Sequence, residues 1–188
     1  MDSELKSSVI GYRKYAWGHA AIFSLFLLLV TGCPKEIKVP PSDRTPPTVV
    51  LLVSGIGPAF TLTEGGNAEI RSLTSSDTTI VLVAIANDED GGIKNVQIQG
   101  EVAVSCAGGS GLEQMNRASY ISQNPDDAHV GESALNQRAT SITLRVPELQ
   151  EMCTGTWTFL SLRGTFVGLG GNFHGGNAET ASLHFSYP

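Results

Sequence analysis

Apolar residues recur at short, strand-like spacings from residue 48 onward. Thr48–Val53 is rich in β-branched residues, and Thr79–Ala86 is continuously apolar, as expected of strands buried in a core. Between Val96 and Cys106 every second residue is apolar or small, which is the side-chain period of a β-strand. Further alternating runs cover residues 142–146, 155–159 and 181–187. The alternation over residues 155–159 slips at Leu160, which predicts a β-bulge. Six or seven short strands of this kind predict an all-β fold, a β-sandwich.

One long segment lacks this pattern. Ala107–Thr140 is polar, and its few large apolar residues follow neither a two-residue nor a 3.6-residue period. We therefore predict a single sandwich domain over residues 48–188 that carries a long polar loop at residues 107–140. Loops on a rigid sandwich commonly carry recognition, so this loop is predicted to be the binding surface.

Composition and charge narrow the class of partner. The chain has 188 residues, which suits one domain, and its net charge is −6. Removal of residues 1–32 would take away three basic and two acidic residues and leave −7. Nucleic-acid binding needs lysine and arginine gathered on one face. An acidic chain without a basic cluster therefore predicts no nucleic-acid partner, and any membrane contact must have another origin.

The first thirty-three residues have the layout of an export signal. Three basic residues, Lys6, Arg13 and Lys14, precede the uncharged apolar run Ala20–Val30. That run is shorter than the ~20 apolar residues that a membrane-spanning helix requires. An apolar run of this length after a basic segment predicts a secretory signal.

The segment Val30-Thr31-Gly32-Cys33 resembles the lipobox of bacterial lipoproteins. The resemblance implies that residues 1–32 are cleaved and that Cys33 carries lipid. The partner would then be the cell membrane or outer membrane, reached on the exported side through a lipid anchor. An ordinary signal peptide with a chance cysteine and an uncleaved anchor are the alternatives. Residues 33–47 hold five prolines and are predicted to be an extended tether.

Three stretches resemble bacterial immunoglobulin-like and cadherin-like extracellular domains. They are TPPTVVL, IANDEDGGIKNVQIQG and GTWTFLSLRGTFVGLGGN, within residues 45–105 and 140–188. The resemblance implies an immunoglobulin-like sandwich. The polar segment 107–140 departs from it, since a short connection is usual there.

The cysteines support an exported domain. With Cys33 lipidated, Cys106 and Cys153 remain, and an even pair in an exported chain predicts a disulfide. The strand phases place both cysteines inward, Cys106 on one face with Val102 and Val104, and Cys153 on one face with Trp157 and Phe159. Two buried thiols are the alternative.

Two acidic segments are candidate metal sites. Asp88 and Asp90, in the turn Asn87–Gly92, supply the carboxylate oxygens that calcium prefers, although the register of an EF-hand fails there. Asp127, His129 and Glu132 form the densest group of metal-ligand side chains. A solvated turn and an ordinary surface loop are the structural alternatives, so no cofactor is expected except calcium.

No nucleophile elbow, zinc-protease motif or phosphate-binding loop occurs in the sequence. We therefore predict that the chain is not an enzyme but a lipid-anchored binding or structural module of the cell envelope, with an envelope protein or a glycan as partner. The alternatives are an accessory subunit of an envelope assembly and a metal-dependent hydrolase. An exposed strand edge or apolar patch would favour the accessory subunit. A deep pocket holding Asp127, His129 and Glu132 would favour the hydrolase.

Overall fold

The structure is a computed structural model that describes residues 34–109 and 111–187. The predicted signal segment and Cys33 lie outside these described residues. The strands of the described part are β1 (Glu36–Lys38), β2 (Thr48–Ser54), β3 (Phe60–Thr63), β4 (Glu69–Ser72), β5 (Thr79–Asn87), β6 (Ile93–Ala107), β7 (Glu113–Pro125), β8 (Ser133–Leu135), β9 (Gln137–Arg145), β10 (Thr158–Asn172), β11 (Asn177–Glu179) and β12 (Leu183–Tyr187). One short helix, α1 (Val146–Gln150), joins β9 to the turn before β10.

The strands form three sheets. The larger principal sheet has the order β4-β12-β10-β6-β7, with β11 paired to β10, and the smaller has the order β3-β2-β5-β9. A two-stranded ribbon joins β1 to β8. All pairings are antiparallel except that of β12 with β4.

One hydrophobic core lies between the two principal sheets. Leu51 and Leu82 of the smaller sheet and Ile98 and Phe166 of the larger one are fully buried in it. The predicted all-β sandwich is thereby confirmed. The immunoglobulin-like subtype stays a prediction.

The predicted disulfide is present, and it joins Cys106 to Cys153. Cys106 is on the inward face of β6, as its phase predicts. Cys153, however, lies in the turn after α1 rather than in a strand. The assumption about its strand phase was therefore wrong, although the pairing was right. The bridge ties that turn to the end of β6.

The longest strands, β6 and β10, pair along almost their whole length. Their register shifts between Phe159 and Ser161, which confirms the bulge predicted at Leu160. Gly100 of β6 lies opposite Phe166, and a side chain at Gly100 would collide with that ring. Glycine is therefore required there, because it lets a core aromatic ring lie over the strand.

The predicted loop at residues 107–140 was wrong. β7, β8 and the first part of β9 fill most of it, and β7 pairs with β6 without a register shift from Ala107 and Glu113 to Asn95 and Pro125. The pattern hid this strand because its inward face is small or polar. The inward residues are Asn116, Ala118, Tyr120, Ser122 and Asn124, all half-buried. Pairing with a long neighbouring strand, rather than intrinsic hydrophobic alternation, fixes β7 in place.

The predicted free tether was also wrong from Lys35 onward. Residues 35–47, here called the strap, dock on the domain through β1, and the backbone N–H of Val39 donates to the carbonyl of Glu132 at 2.9 Å. The side chain of Val39 is 1% exposed. The five prolines suggested an extended spacer, but Ile37 and Val39 alternate with charged residues and supply a buried face.

A polar seam closes the sandwich where β7 lies beside β9. The hydroxyls of Ser122 and Thr140 are 2.6 Å apart. The Asn124 side chain donates to the Ala139 carbonyl at 3.1 Å, and Arg138 forms an ion pair with Asp126. Hydrogen bonds hold the two strands together here, whereas apolar contacts do so elsewhere in the core. The inward side chains of β7 are therefore mostly polar.

Replacement of residues 109–137 by a short Gly/Ser linker should abolish the cooperative thermal transition. The replacement removes β7 and β8 and strips β6 of one of its two neighbours. Replacement of residues 127–131 alone, in the connection between β7 and β8, is the matched control and should leave a cooperative melt. A cooperative melt of the larger replacement, followed by circular dichroism, would contradict the strand assignment.

Tyr120, on the inward face of β7, provides a test of the burial of that face through pH. Burial, and secondarily the negative charge of Glu148, raise the pKa of Tyr120 above its usual value of 10.0. The unfolded chain therefore loses this proton at lower pH than the folded chain does. The associated stability is complete below pH ~10 and declines as the pH rises through the folded-state pKa. Denaturant melts at pH 7 and pH 11 should show a smaller alkaline loss for Tyr120→Phe than for wild type. Equal losses would contradict the shift.

Candidate functional site

The acidic turn after β5 does not arrange its carboxylates as the sequence suggested. Asp88 is 8% exposed, and its Oδ1 accepts the backbone N–H groups of Gly91 at 2.7 Å and of Asp90 at 3.2 Å. Asp90 itself is exposed. Asp88 therefore folds the turn back on itself, and Asp90 lies on its solvent side.

Asn172 of β10 joins Asp88 to Asp43 and Thr45 of the strap. The Asn172 side chain, 2% exposed at the end of β10, donates to the Thr45 carbonyl at 2.8 Å. Its Nδ2 is also 3.4 Å from Asp43 Oδ2 and 3.4 Å from Asp88 Oδ2. Two carboxylates and one carbonyl thus converge on a single amide group.

The orientation of that amide is fixed by its other end. Asn172 Oδ1 accepts the backbone N–H of Gly176 at 2.8 Å and of His174 at 3.1 Å, so Nδ2 must face the carboxylates. A hydrogen-bond donor thus lies between Asp43 and Asp88, where a cation would otherwise offset their charge. The arrangement links the strap to the turn and to β10, and calcium binding at Asp88 and Asp90 stays a prediction.

The second acidic segment has mainly structural contacts. Asp126 pairs with Arg138, and Glu132 Oε2 accepts the backbone N–H of His129 at 2.8 Å. Asp127 and His129 both line an open depression of about 420 Å³ together with Lys94 and Phe173, whereas Glu132 is not among its lining residues. The described residues contain no group of three or more His, Cys, Asp or Glu side chains placed to hold a metal ion. A metal at Asp127, His129 and Glu132 stays a prediction.

The outer edge of β7 is a candidate interaction surface. The Asp126 N–H donates to the Lys94 carbonyl, and the Gly108 N–H donates to the Leu112 carbonyl. In this antiparallel register the even-numbered residues of β7 therefore direct their backbone groups toward β6. The odd-numbered residues from Glu113 to Gln123 direct theirs away from the sheet, and no described residue hydrogen-bonds to them.

Apolar side chains flank this edge. Met115 is 57% exposed and Ile121 is 67% exposed on the outward face of β7. Ile121 also lines a depression of about 410 Å³ with Val167, beside the polar side chains of Gln99 and Thr165. Arg117 between them is paired with Glu101 at 2.7 Å. The edge can hydrogen-bond to an added strand and bury apolar side chains beside it.

Sequence reasoning missed the main members of both arrangements. Asp43 was assigned to a tether, and Asn172 was not singled out, so neither was associated with Asp88. Their meeting depends on docking of the strap, which no local pattern encodes. The β7 edge was missed because the strand was predicted to be a loop. The predicted loop, residues 107–140, includes the whole of β7.

Comparisons with known proteins do not extend this description. No protein-family model, no curated protein and no solved structure matches the chain. Within residues 34–109 and 111–187, no helix is long and apolar enough to cross a membrane.

Substitution of Asn172 by alanine tests the link between strap and domain. Loss of the donor leaves the carboxylates of Asp43 and Asp88 close together without it, so the free energy of unfolding should fall by ~1–3 kcal/mol. Hydrogen exchange of peptides covering the strap, which include the Val39 amide, should accelerate. Asn177→Ala, at an exposed position nearby, is the matched control and should change neither quantity. Unchanged exchange in Asn172→Ala would contradict the linking role.

Proposed function

We propose that the protein is a lipid-anchored, non-catalytic binding module of the bacterial cell envelope. The lipobox-like segment Val30–Cys33 supports export and lipid attachment at Cys33. Two or three acyl chains would hold the domain at the membrane without an inserted helix, because each buried CH₂ contributes ~0.8 kcal/mol. The strap then connects the lipid to the sandwich.

The observation that carries the binding role is the outer edge of β7. Its odd-numbered residues from Glu113 to Gln123 present backbone donors and acceptors in a row, with Met115 and Ile121 exposed beside them. Backbone groups at a sheet edge bind a second strand through main-chain hydrogen bonds, and the neighbouring side chains select its sequence. This edge favours a protein partner that contributes an extended strand over a glycan.

A second candidate function is that of an accessory subunit in an envelope assembly. The same exposed apolar side chains favour it, since large apolar residues on a strand edge are costly to leave in water unless they are covered. The binding module and the accessory subunit share one surface. They differ in whether the partner leaves or stays.

A photo-crosslinkable amino acid at position 121 of the full chain, expressed in bacterial membranes, tests this proposal. Ultraviolet irradiation should give protein adducts from position 121. Position 70, where Ile70 is 77% exposed on the β4 strand, is the matched control and should give few adducts.

The lipid anchor is tested separately: Cys33→Ser should prevent acylation, as intact mass would show. Equal adduct yields from both positions would contradict the β7 surface, and an unacylated wild-type protein would contradict the anchor.

A further inference from the structure

We propose that the β7 edge pairs with the β7 edge of a second copy of this chain, in one antiparallel register that places Met115 of each copy opposite Ile121 of the other. The proposal rests on the proposed function, because it names the partner of the same surface.

The β7 edge differs from the other edges of the two principal sheets. β3 and β4 are edge strands of four residues each. β9 has nine, and its Ala139 carbonyl already accepts a hydrogen bond from Asn124. β7 is longer than these, and neither a bulge nor a proline interrupts it between Glu113 and Asn124. Native proteins commonly keep edge strands from pairing with other chains by making them short or by placing charges, prolines or bulges in them. β7 has little such protection.

The sequence of β7 is self-complementary. When Ala118 lies on the two-fold axis, the antiparallel overlap runs from Glu113 to Gln123 and pairs Met115 with Ile121 at both ends. The odd-numbered residues, whose backbone groups face outward, then meet one another as hydrogen-bonded pairs. One two-residue step either way brings Arg117 opposite Ile121 or opposite its own copy. The register centred on Ala118 alone combines a long overlap with apolar pairs.

Charge and shape agree with this register. It places Arg117 opposite Ser119 of the second copy, and each Arg117 is already neutralised by its own Glu101 at 2.7 Å. Met115 of the second copy approaches the exposed Ile121 from the open side of the edge, where its flexible side chain can adapt to the isoleucine. The contact area between two edges is small, but two copies anchored to one membrane meet at a high effective concentration.

Register-specific cysteine pairing in membranes tests the proposal. Two differently tagged full-length copies are co-expressed, one with Met115→Cys and the other with Ile121→Cys, and the membranes are oxidised. Residues opposite each other in a hydrogen-bonded pair are ~5.5 Å apart at Cα, within disulfide range. The mixed pair should give a linked dimer in at least about ten-fold higher yield than either matched pair, because like cysteines would be ~20 Å apart along the strand.

Two further measurements keep the outcome clear. Ile121→Lys should reduce co-purification of the two tagged copies at least about five-fold, because it places a charge opposite Met115. Ile70→Lys should leave co-purification unchanged, and both variants should retain the Cys106–Cys153 bond and a cooperative melt. Equal linking in mixed and matched pairs, or no linking in any, would overturn self-pairing. Photo-adducts at position 121 that contain only other proteins would overturn it too, while leaving the binding module intact.

Discussion

The pairing of β6 with β10 is the contact on which the rest of the structure depends. Both strands have fifteen residues, and they bring together the middle of the larger sheet, the disulfide and the inner aromatic rings. Glycine on each strand makes this possible, because the Phe166 ring lies over Gly100 and the Phe185 ring over Gly164. The two phenylalanine rings stack at 6.0 Å between centroids. An aromatic row thus replaces the side chains that the glycines lack and holds neighbouring strands in register.

The two sides of this central pair are built by different physical means. Toward β12, apolar burial against the smaller sheet dominates. Toward β7, the interior becomes polar, and the hydroxyl pair Ser122–Thr140 and the ion pair Arg138–Asp126 close the sandwich. Such contacts fix geometry well but contribute less free energy than apolar burial, since each polar group must first lose its water. They also leave the outer edge of β7 without a covering strand among the described residues.

Strands whose own hydrophobic pattern indicates burial could be predicted from the sequence. The continuously apolar β5, the alternating β6 and the slip at Leu160 all show such a pattern, and the even pair of remaining cysteines led to the correct disulfide. β7 shows no such hydrophobic pattern, because its inward side chains are only half-buried and mostly small or polar. In the strap only Ile37 and Val39 show this pattern, and the prolines around them more strongly indicated an extended chain. The convergence of Asp43, Asp88 and Asn172 depends on tertiary placement, which local periodicity cannot express.

The charge of the domain and the character of the β7 edge act over different distances. Removal of the predicted signal would leave a net charge of −7, so copies repel one another at long range, although salt screens this repulsion beyond ~8 Å. Edge pairing acts only at contact, through backbone hydrogen bonds and the apolar pair. Repulsion therefore lowers the rate of random encounters in solution without penalising a correctly aligned contact by much. Under the proposed lipid anchoring, confinement to one surface would raise the encounter rate again and so would favour the proposed edge pairing over free copies in dilute solution.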